Sequence, residues 1–268
     1  MAGPLDWADP EWSDPDGGTV VLHGTLPTVV YPNVLRPRYA WDGLALLETP
    51  DVVELWEQEE ADEAESQGVN LTYAMLSGGA FGRYAEGISM LTELQGGRFP
   101  DPEPRRLQRN AARHNRPVFF LEPMADDPEW NDFLTREAKV MSHWKKLLSM
   151  VRIKKRWKKA VKRHIFGVTP PPKGQSADYA SASVMASAWW DINCEMSTPS
   201  LNQERNDRYA ARLRGALASL RSTHGDEAVL MLVVHQPQRA ALLASLRALP
   251  AAEEISSTST DTLHSEEE

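Results

Sequence analysis

The chain has 268 residues, 41% of them hydrophobic, and a formal net charge of −9. A chain of this size fits roughly one folded domain of 200 to 250 residues with short terminal extensions. No apolar run approaches the ~20 residues needed to span a bilayer, and the N-terminus lacks the basic start and apolar core of a signal peptide. We therefore expect a cytoplasmic protein. The single cysteine, Cys194, excludes an internal disulfide and a metal cage built from thiolates.

The N-terminal half of the chain predicts three strands separated by helices. Residues 1–17 contain many Asp, Pro and Gly residues and predict a flexible acidic arm. The elements that follow are a strand at 18–25, a strand at 43–48 ending in Glu48, an acidic helix at 51–65, a glycine-interrupted helical hairpin at 70–95, a helix at 104–114 and a strand at 117–122 ending in Glu122.

The C-terminal half predicts long helices and one more strand. Apolar residues at helical spacing predict a helical region at 127–166, a helix at 178–193, and a helix at 201–220 with Arg205 and Asn206 off its apolar face. The apolar run 228–234 predicts a strand that ends at His235, and a helix follows from Pro237 to about Leu249. Residues 250–268 contain few apolar side chains and predict a disordered acidic Ser/Thr tail.

These elements predict an α/β fold with a central mixed or parallel sheet flanked by helices. Short apolar runs such as 228–234 are typical of strands covered on both faces, which occur in parallel or mixed sheets. We expect a single domain over residues 18–249 with helical insertions at about 55–115 and 127–197.

Three predicted strands end in an ionisable residue, namely Glu48, Glu122 and His235. Two carboxylates and an imidazole at one sheet edge can bind a divalent metal, and an arginine beside them can stabilise an oxyanion. Arg205 and Asn206, which enter from a helix, are the candidates for that second task. The alternative is that these strand ends do not converge, and that Arg205 and Asn206 only satisfy backbone groups near a helix start.

The order of five segments resembles the TraB/GumN family, which is related to the Tiki metalloproteases and the wider ChaN-like group. These segments are VVLHGT, LALLE, RPVFFLE, ERNDRYAARL and a hydrophobic strand ending in His, and they extend over about residues 18–249. The resemblance implies that Glu48, Glu122 and His235 either hold a divalent metal such as Mn, Co or Zn, or act as acid and base around a bound water. It also implies catalytic roles for Arg205 and Asn206, and a peptide substrate.

Two family motifs are incomplete in this chain. Where the first Gly-x-x-His motif is expected, Gly24 is present but Pro27 replaces the histidine. His23 lies one residue before Gly24 and, because side chains alternate along a strand, it cannot take the missing position. The second motif keeps His235 and loses its glycine. The resemblance therefore predicts either a metal-dependent hydrolase or peptidase, or a catalytically impaired relative of one.

A strongly basic segment supports a different, non-enzymatic hypothesis. Residues 145–166 contain no acid, and their cations are Lys145, Lys146, Arg152, Lys154, Lys155, Arg156, Lys158, Lys159, Lys162 and Arg163. As one amphipathic helix this segment can contact an anionic membrane surface or an acidic partner, so that the protein would be a peripheral binding protein. Nucleic acid is the poorest fit of the ligands considered. The alternative is a solvated helix that balances the acidic remainder of the chain.

Overall fold

A five-stranded sheet forms the centre of the protein, whose computed structural model describes residues 6–258. The strands are β1 (Glu11–Ser13), β2 (Thr19–Thr25), β3 (Gly43–Leu46), β4 (Val118–Phe120) and β5 (Val229–His235). Their spatial order is β1-β2-β5-β3-β4, in which β1 is antiparallel to β2 and the other neighbours are parallel. The predicted α/β fold with a mixed sheet is confirmed.

Ten α-helices surround the sheet in the described part of the chain. They are α1 (Val52–Glu65), α2 (Val69–Leu76), α3 (Gly79–Ser89), α4 (Pro102–Arg113), α5 (Pro128–Met141), α6 (Trp144–Val151), α7 (Ile153–Ile165), α8 (Asp178–Met196), α9 (Pro199–His224) and α10 (Arg239–Arg247). The longest, α9, begins where the Thr198 hydroxyl accepts a hydrogen bond from the Leu201 amide at 3.2 Å, and it ends at Gly225, whose φ is +74°.

Helices cover both faces of the sheet because its strands are apolar on both sides. Along β5, Leu230 and Leu232 pack with residues of α9 and α10, whereas Met231 and Val233 pack with residues of α1 and α4. A third apolar cluster joins α3 and α8 to the loop that follows β2. The sheet and the helices packed on its two faces thus form the core, whereas α3 and α8 form a separate apolar cluster.

The first predicted insertion, at about 55–115, is divided between these layers. Its first and last helices, α1 and α4, contribute Trp56 and Leu107 to the apolar cluster beside β3 and β4. The helix α3, which lies between them in sequence, packs instead with α8. The described residues contain no helix that is both long enough and apolar enough to cross a membrane.

The N-terminal segment corrects one prediction, since residues 6–17 do not form a free arm. Glu11–Ser13 forms an edge strand, and Trp12 is buried in the core. Asp14 then accepts a hydrogen bond from Arg214 Nε of α9 at 2.7 Å. Asp14 and Arg214 lie 200 positions apart in sequence, so local composition could not reveal this ion pair. Residues 1–5 lie outside the described residues.

The start of the predicted tail is also attached to the domain. The Glu253 amide donates to the Ala211 carbonyl at 3.0 Å, and the Thr258 amide donates to the Val118 carbonyl at 2.9 Å. Residues 250–258 therefore lie along α9 and reach the edge strand β4. Residues 259–268, the rest of the predicted tail, lie outside the described part of the chain.

The helical region predicted at 127–166 is three helices rather than one. Breaks occur at Ser142 and His143, between α5 and α6, and at Arg152, between α6 and α7. His143 caps α6 by accepting a hydrogen bond from the Lys145 amide at 3.3 Å. The basic segment is therefore a pair of short helices, and the prediction of a single basic helix at 145–166 is wrong.

Candidate functional site

A cavity of about 380 Å³ lies at the carboxyl edge of the parallel strands. Thr25 ends β2 and His235 ends β5, while Glu48 and Glu122 each come two residues after the end of β3 or β4. All four side chains line the cavity. Strand ends of a parallel sheet meet at one edge, which is where open α/β sheets bind ligands. The strands end earlier than predicted, so both glutamates belong to the loops.

The surroundings of the two cavity glutamates shift the pKa of each. Desolvation by the surrounding protein, together with the negative charge of Glu122, raises the pKa of Glu48 to about 7. Burial also raises the pKa of Glu122, but the positive charge of Arg205 opposes that rise. Near neutral pH, Glu48 therefore holds a proton for a substantial fraction of the time, and Arg205 favours the charged form of Glu122.

His235 enters the cavity as a neutral imidazole. Burial lowers its pKa to about 4, so the ring carries no proton charge near neutral pH. Its Nδ1 atom has no hydrogen-bond partner among the described residues. The ring packs edge-on against Trp189 with a centroid distance of 5.2 Å. A buried ring nitrogen without a partner is costly and marks a group that a ligand or a water can satisfy.

Arg205 reaches the same cavity from α9. Its guanidinium forms an ion pair with Glu137 of α5 and lies 5.4 Å from the centroid of the Phe133 ring. This ion pair fixes the guanidinium at the wall of the cavity, because the Glu137 carboxylate and the ring hold it from two sides. The arginine is thus placed to supply positive charge next to Glu122.

Asn206 does not join the site. It is buried on α9 and is not among the residues that line the cavity. Successive residues of an α-helix point about 100° apart, so the neighbour of Arg205 faces another direction. The catalytic role predicted for Asn206 is therefore not supported by its position.

His23 is also separate from the cavity. Its Nδ1 lies 2.8 Å from Asp9 Oδ2, and its Nε2 lies 3.4 Å from Glu103 Oε1. Both contacts place the ring in a buried cluster with the N-terminal segment and α4. His23 therefore belongs to a different cluster from the residues that line the cavity.

Aromatic side chains form much of the remaining wall, and sequence reasoning missed them. Trp130 comes from α5, Trp189 and Trp190 from α8, and Tyr209 from α9. The consecutive pair on α8 offered a signal, since two neighbouring tryptophans on a helix point about 100° apart and together give it a wide aromatic face. Glu137 was missed because its role depends on the ion pair with Arg205, which joins two helices.

The predicted metal ligands do not assemble into a metal site. Within residues 6–258, no group of three His, Cys, Asp or Glu side chains is placed so that it could hold a metal ion. Catalytic zinc sites use three protein ligands and an open position. Glu48, Glu122 and His235 share a cavity without forming such a group, so this geometry does not fit the predicted Mn, Co or Zn ion.

The chain matches no protein-family model, no curated protein and no solved structure. The resemblance to the TraB/GumN family thus stays a prediction from sequence motifs.

The predicted basic residues lie away from this cavity, on α6 and α7. Three of the ten are held by α8 and the residue that follows it. Lys146 donates to the carbonyl of Ser197 at 3.0 Å, and Arg156 and Arg163 pair with Glu195 and Asp191, each at 2.9 Å. The other seven make no ion pair with any residue in the described ranges. Those seven are Lys145, Arg152, Lys154, Lys155, Lys158, Lys159 and Lys162.

Proposed function

We propose that the cavity at the carboxyl edge of the sheet is the active site of a hydrolase that cleaves a carboxylic ester or amide. The observation that carries the proposal is the pair of carboxyl groups with unlike environments, Glu48 and Glu122, lining one cavity with a neutral imidazole and an arginine. Groups whose surroundings separate their pKa values are suited to opposite roles in acid–base catalysis.

In this mechanism Glu122 is the general base and Glu48 is the general acid. The Glu122 carboxylate removes a proton from water, and the resulting hydroxide attacks the carbonyl carbon of the substrate. Arg205 stabilises the negative oxygen of the tetrahedral intermediate. The intermediate collapses, the bond to the leaving group breaks, and Glu48 gives its proton to that group. Proton transfer from Glu122 to Glu48 then restores the starting state.

His235 fits the role of a positioning residue for the water. A neutral imidazole accepts a hydrogen bond through one nitrogen and donates through the other, so it can orient a water beside Glu122 without competing for the proton. Its low pKa, about 4, makes it a weak base, which is why the base role falls to the glutamate.

The walls of the cavity indicate a small substrate with a flat apolar part. Its volume of about 380 Å³ is near the lower end for ligand sites, which range from about 300 to 1,000 Å³. Trp130, Trp189 and Trp190 offer aromatic faces and edges. We therefore expect an ester with an aromatic group, or the end of a short peptide with an aromatic side chain.

The test compares hydrolysis of chromogenic esters and aminoacyl anilides by the wild type, Glu48→Gln, Glu122→Gln and Glu227→Gln. The last is a matched control, because Glu227 is an exposed acid just before β5, at the opposite edge of the sheet. Removal of an acid or a base costs about 10²–10⁴-fold. We expect losses of at least about 10²-fold in kcat/KM for the two cavity variants and none for the control.

The pH profile gives a second measurement on the same enzyme. Because Glu48 must hold its proton, wild-type activity should fall as the pH rises above about 7. Equal activity of the wild type and both cavity variants would overturn the proposal.

Metal dependence separates this mechanism from the one implied by the family resemblance. Hydrolysis that persists in a chelator supports the metal-free mechanism. Hydrolysis that is lost in the chelator and restored by Mn²⁺, Co²⁺ or Zn²⁺ would replace it with a metal-dependent hydrolase. Ligand binding in the cavity with no turnover of any substrate would identify a catalytically impaired protein instead.

A further inference from the structure

A second concavity, of about 650 Å³, lies between α6 and α7, away from the proposed active site. One wall carries apolar side chains of α6, and the other wall carries cations from the break and from α7. We call it the basic groove. Its main residues are Trp144, Leu148, Val151, Arg152, Lys155 and Lys159.

The apolar wall of the basic groove is not covered by the protein's own fold. In α6 no residue is buried, and Val151 is 81% exposed. At the far end of α7, Phe166 is 95% exposed. Four other large apolar side chains of the two helices are more than half exposed. They are Trp144, Leu147, Leu148 and Ile165. Exposed apolar residues clustered in this way mark an interaction surface.

The charges around this apolar wall are equally uncompensated. Lys154, Lys155, Lys158 and Lys159 are all exposed and form no ion pair within residues 6–258. The two acids of α8 that face α7 are already paired, since Asp191 binds Arg163 and Glu195 binds Arg156. A basic helix that merely balanced the acidic remainder of the protein would direct these lysines toward acids.

We propose that the basic groove and its exposed side chains bind the surface of a lipid bilayer that contains anionic headgroups. The cations would contact the headgroups, and Trp144, Leu148 and Val151 would enter the boundary between headgroups and acyl chains. Helices that lie in a membrane surface combine these two features. Anionic lipids attract each nearby Lys or Arg, and this attraction weakens as salt increases.

The composition of the surface favours a bilayer over nucleic acid. Phosphates of nucleic acid would satisfy the lysines, but they would leave Leu147, Leu148 and Val151 exposed to water. Proteins that bind single strands pair their cations with aromatic side chains on which bases stack. Here a single aromatic residue, Trp144, lines the groove beside aliphatic ones. A bilayer can cover both the aliphatic and the charged side chains.

The test is sedimentation of the full chain with vesicles of phosphatidylcholine alone and of phosphatidylcholine mixed with phosphatidylserine, at low and high salt. We expect the protein to sediment only with the mixed vesicles at low salt. A charge-reversed variant should bind at least ~10-fold more weakly. It combines Lys154→Glu, Lys155→Glu, Lys158→Glu and Lys159→Glu.

A matched control carries the same change in net charge on exposed cations elsewhere. It combines Arg98→Glu, Arg113→Glu, Lys173→Glu and Arg247→Glu, and we expect it to bind like the wild type. Equal loss in both variants would show a response to net charge only and would overturn the proposal. Unchanged binding by the groove variant would overturn it as well.

The apolar contribution is tested by Trp144→Ala combined with Leu148→Ala. Both side chains are exposed, so thermal melts of the free protein should match the wild type. We expect binding to the mixed vesicles to fall at least ~10-fold while its salt dependence stays the same. Wild-type binding by this variant would exclude entry into the bilayer. Binding of an RNA or an acidic polymer without any binding of vesicles would also contradict the proposal.

Discussion

His23 lies in the interior with less than 2% of its surface exposed, between two carboxylates. Burial alone would lower the pKa of His23, but the hydrogen bond and charge of Asp9 and the charge of Glu103 outweigh burial and raise it. Glu103 also forms an ion pair with Arg106, and Asp9 Oδ1 lies 3.6 Å from Arg239 Nη1. The imidazolium therefore joins the N-terminal segment to α4.

We predict that His23→Gln destabilises the protein in a pH-dependent way. A group whose pKa is raised on folding contributes its full stability below its unfolded pKa of about 6.5, and the contribution is lost as the pH rises through the folded value. Near pH 6, removal of one partner of a buried ion pair should cost about 3 kcal/mol. Urea unfolding from about pH 6 to about pH 9 should show this difference shrinking as the wild type loses its proton.

The matched control for this prediction is His114→Gln. His114 is exposed at the end of α4 and forms no ion pair with a described residue. Its substitution should leave the free energy of unfolding within about 0.5 kcal/mol of the wild-type value. A constant difference between wild type and His23→Gln over the whole pH range would show that the ring only fills space.

At the scale of elements, the close contact between α9 and residues 250–258 depends on a glycine. A Cβ atom at Gly215 would lie 1.7 Å from the carbonyl oxygen of Glu253, so no larger residue fits without movement of the backbone. The Glu253 carboxylate also binds Arg212 at 2.8 Å. Gly215 therefore lets the C-terminal segment lie directly on the helix.

We predict that Gly215→Ala detaches residues 250–258 from α9. Alanine favours the helix by up to ~1 kcal/mol, but the lost contacts of Glu253 offset this gain, and we expect a net destabilisation of roughly 1 kcal/mol. Hydrogen exchange should increase at the amides of Glu253 and Thr258. Gly167→Ala is the control, because its Cβ would lie 4.0 Å from the nearest atom. Unchanged exchange at residues 250–258 would contradict the prediction.

Sequence patterns identified elements whose signal is local and missed those held by distant partners. The apolar runs of β3, β4 and β5 predicted strands, and their ends led to Glu48, Glu122 and His235. By contrast, β1 has three residues and is anchored near Arg214 of α9, a partner that no local pattern reveals. The break at Arg152 was missed because helical spacing of apolar residues continues through it without a glycine or proline.

At the scale of the whole molecule, α8 connects the two proposed surfaces. One side of this helix holds α7 through Asp191 and Glu195, and the other side presents Trp189 and Trp190 to the cavity. A protein seated on a bilayer through the basic groove would thus keep its cavity one helix away from the lipid.

The order of strands makes the sheet dependent on one late segment. β2 and β3 do not pair with each other, and β5 lies between them with parallel pairing on both sides. We predict that a fragment ending at His224, which lacks β5, shows no cooperative thermal transition. A chain ending at Thr258 is the control and should melt like the full protein. A cooperative transition in the shorter fragment would contradict this view.

Synthesis on the ribosome proceeds from the N-terminus, so β2 and β3 emerge long before the strand that unites them. Until residues 229–235 leave the exit tunnel, both strands present open backbone edges to other chains. Newly made protein is therefore most exposed to aggregation in the interval before β5 emerges, and chaperones that shield strand edges would matter most in that interval.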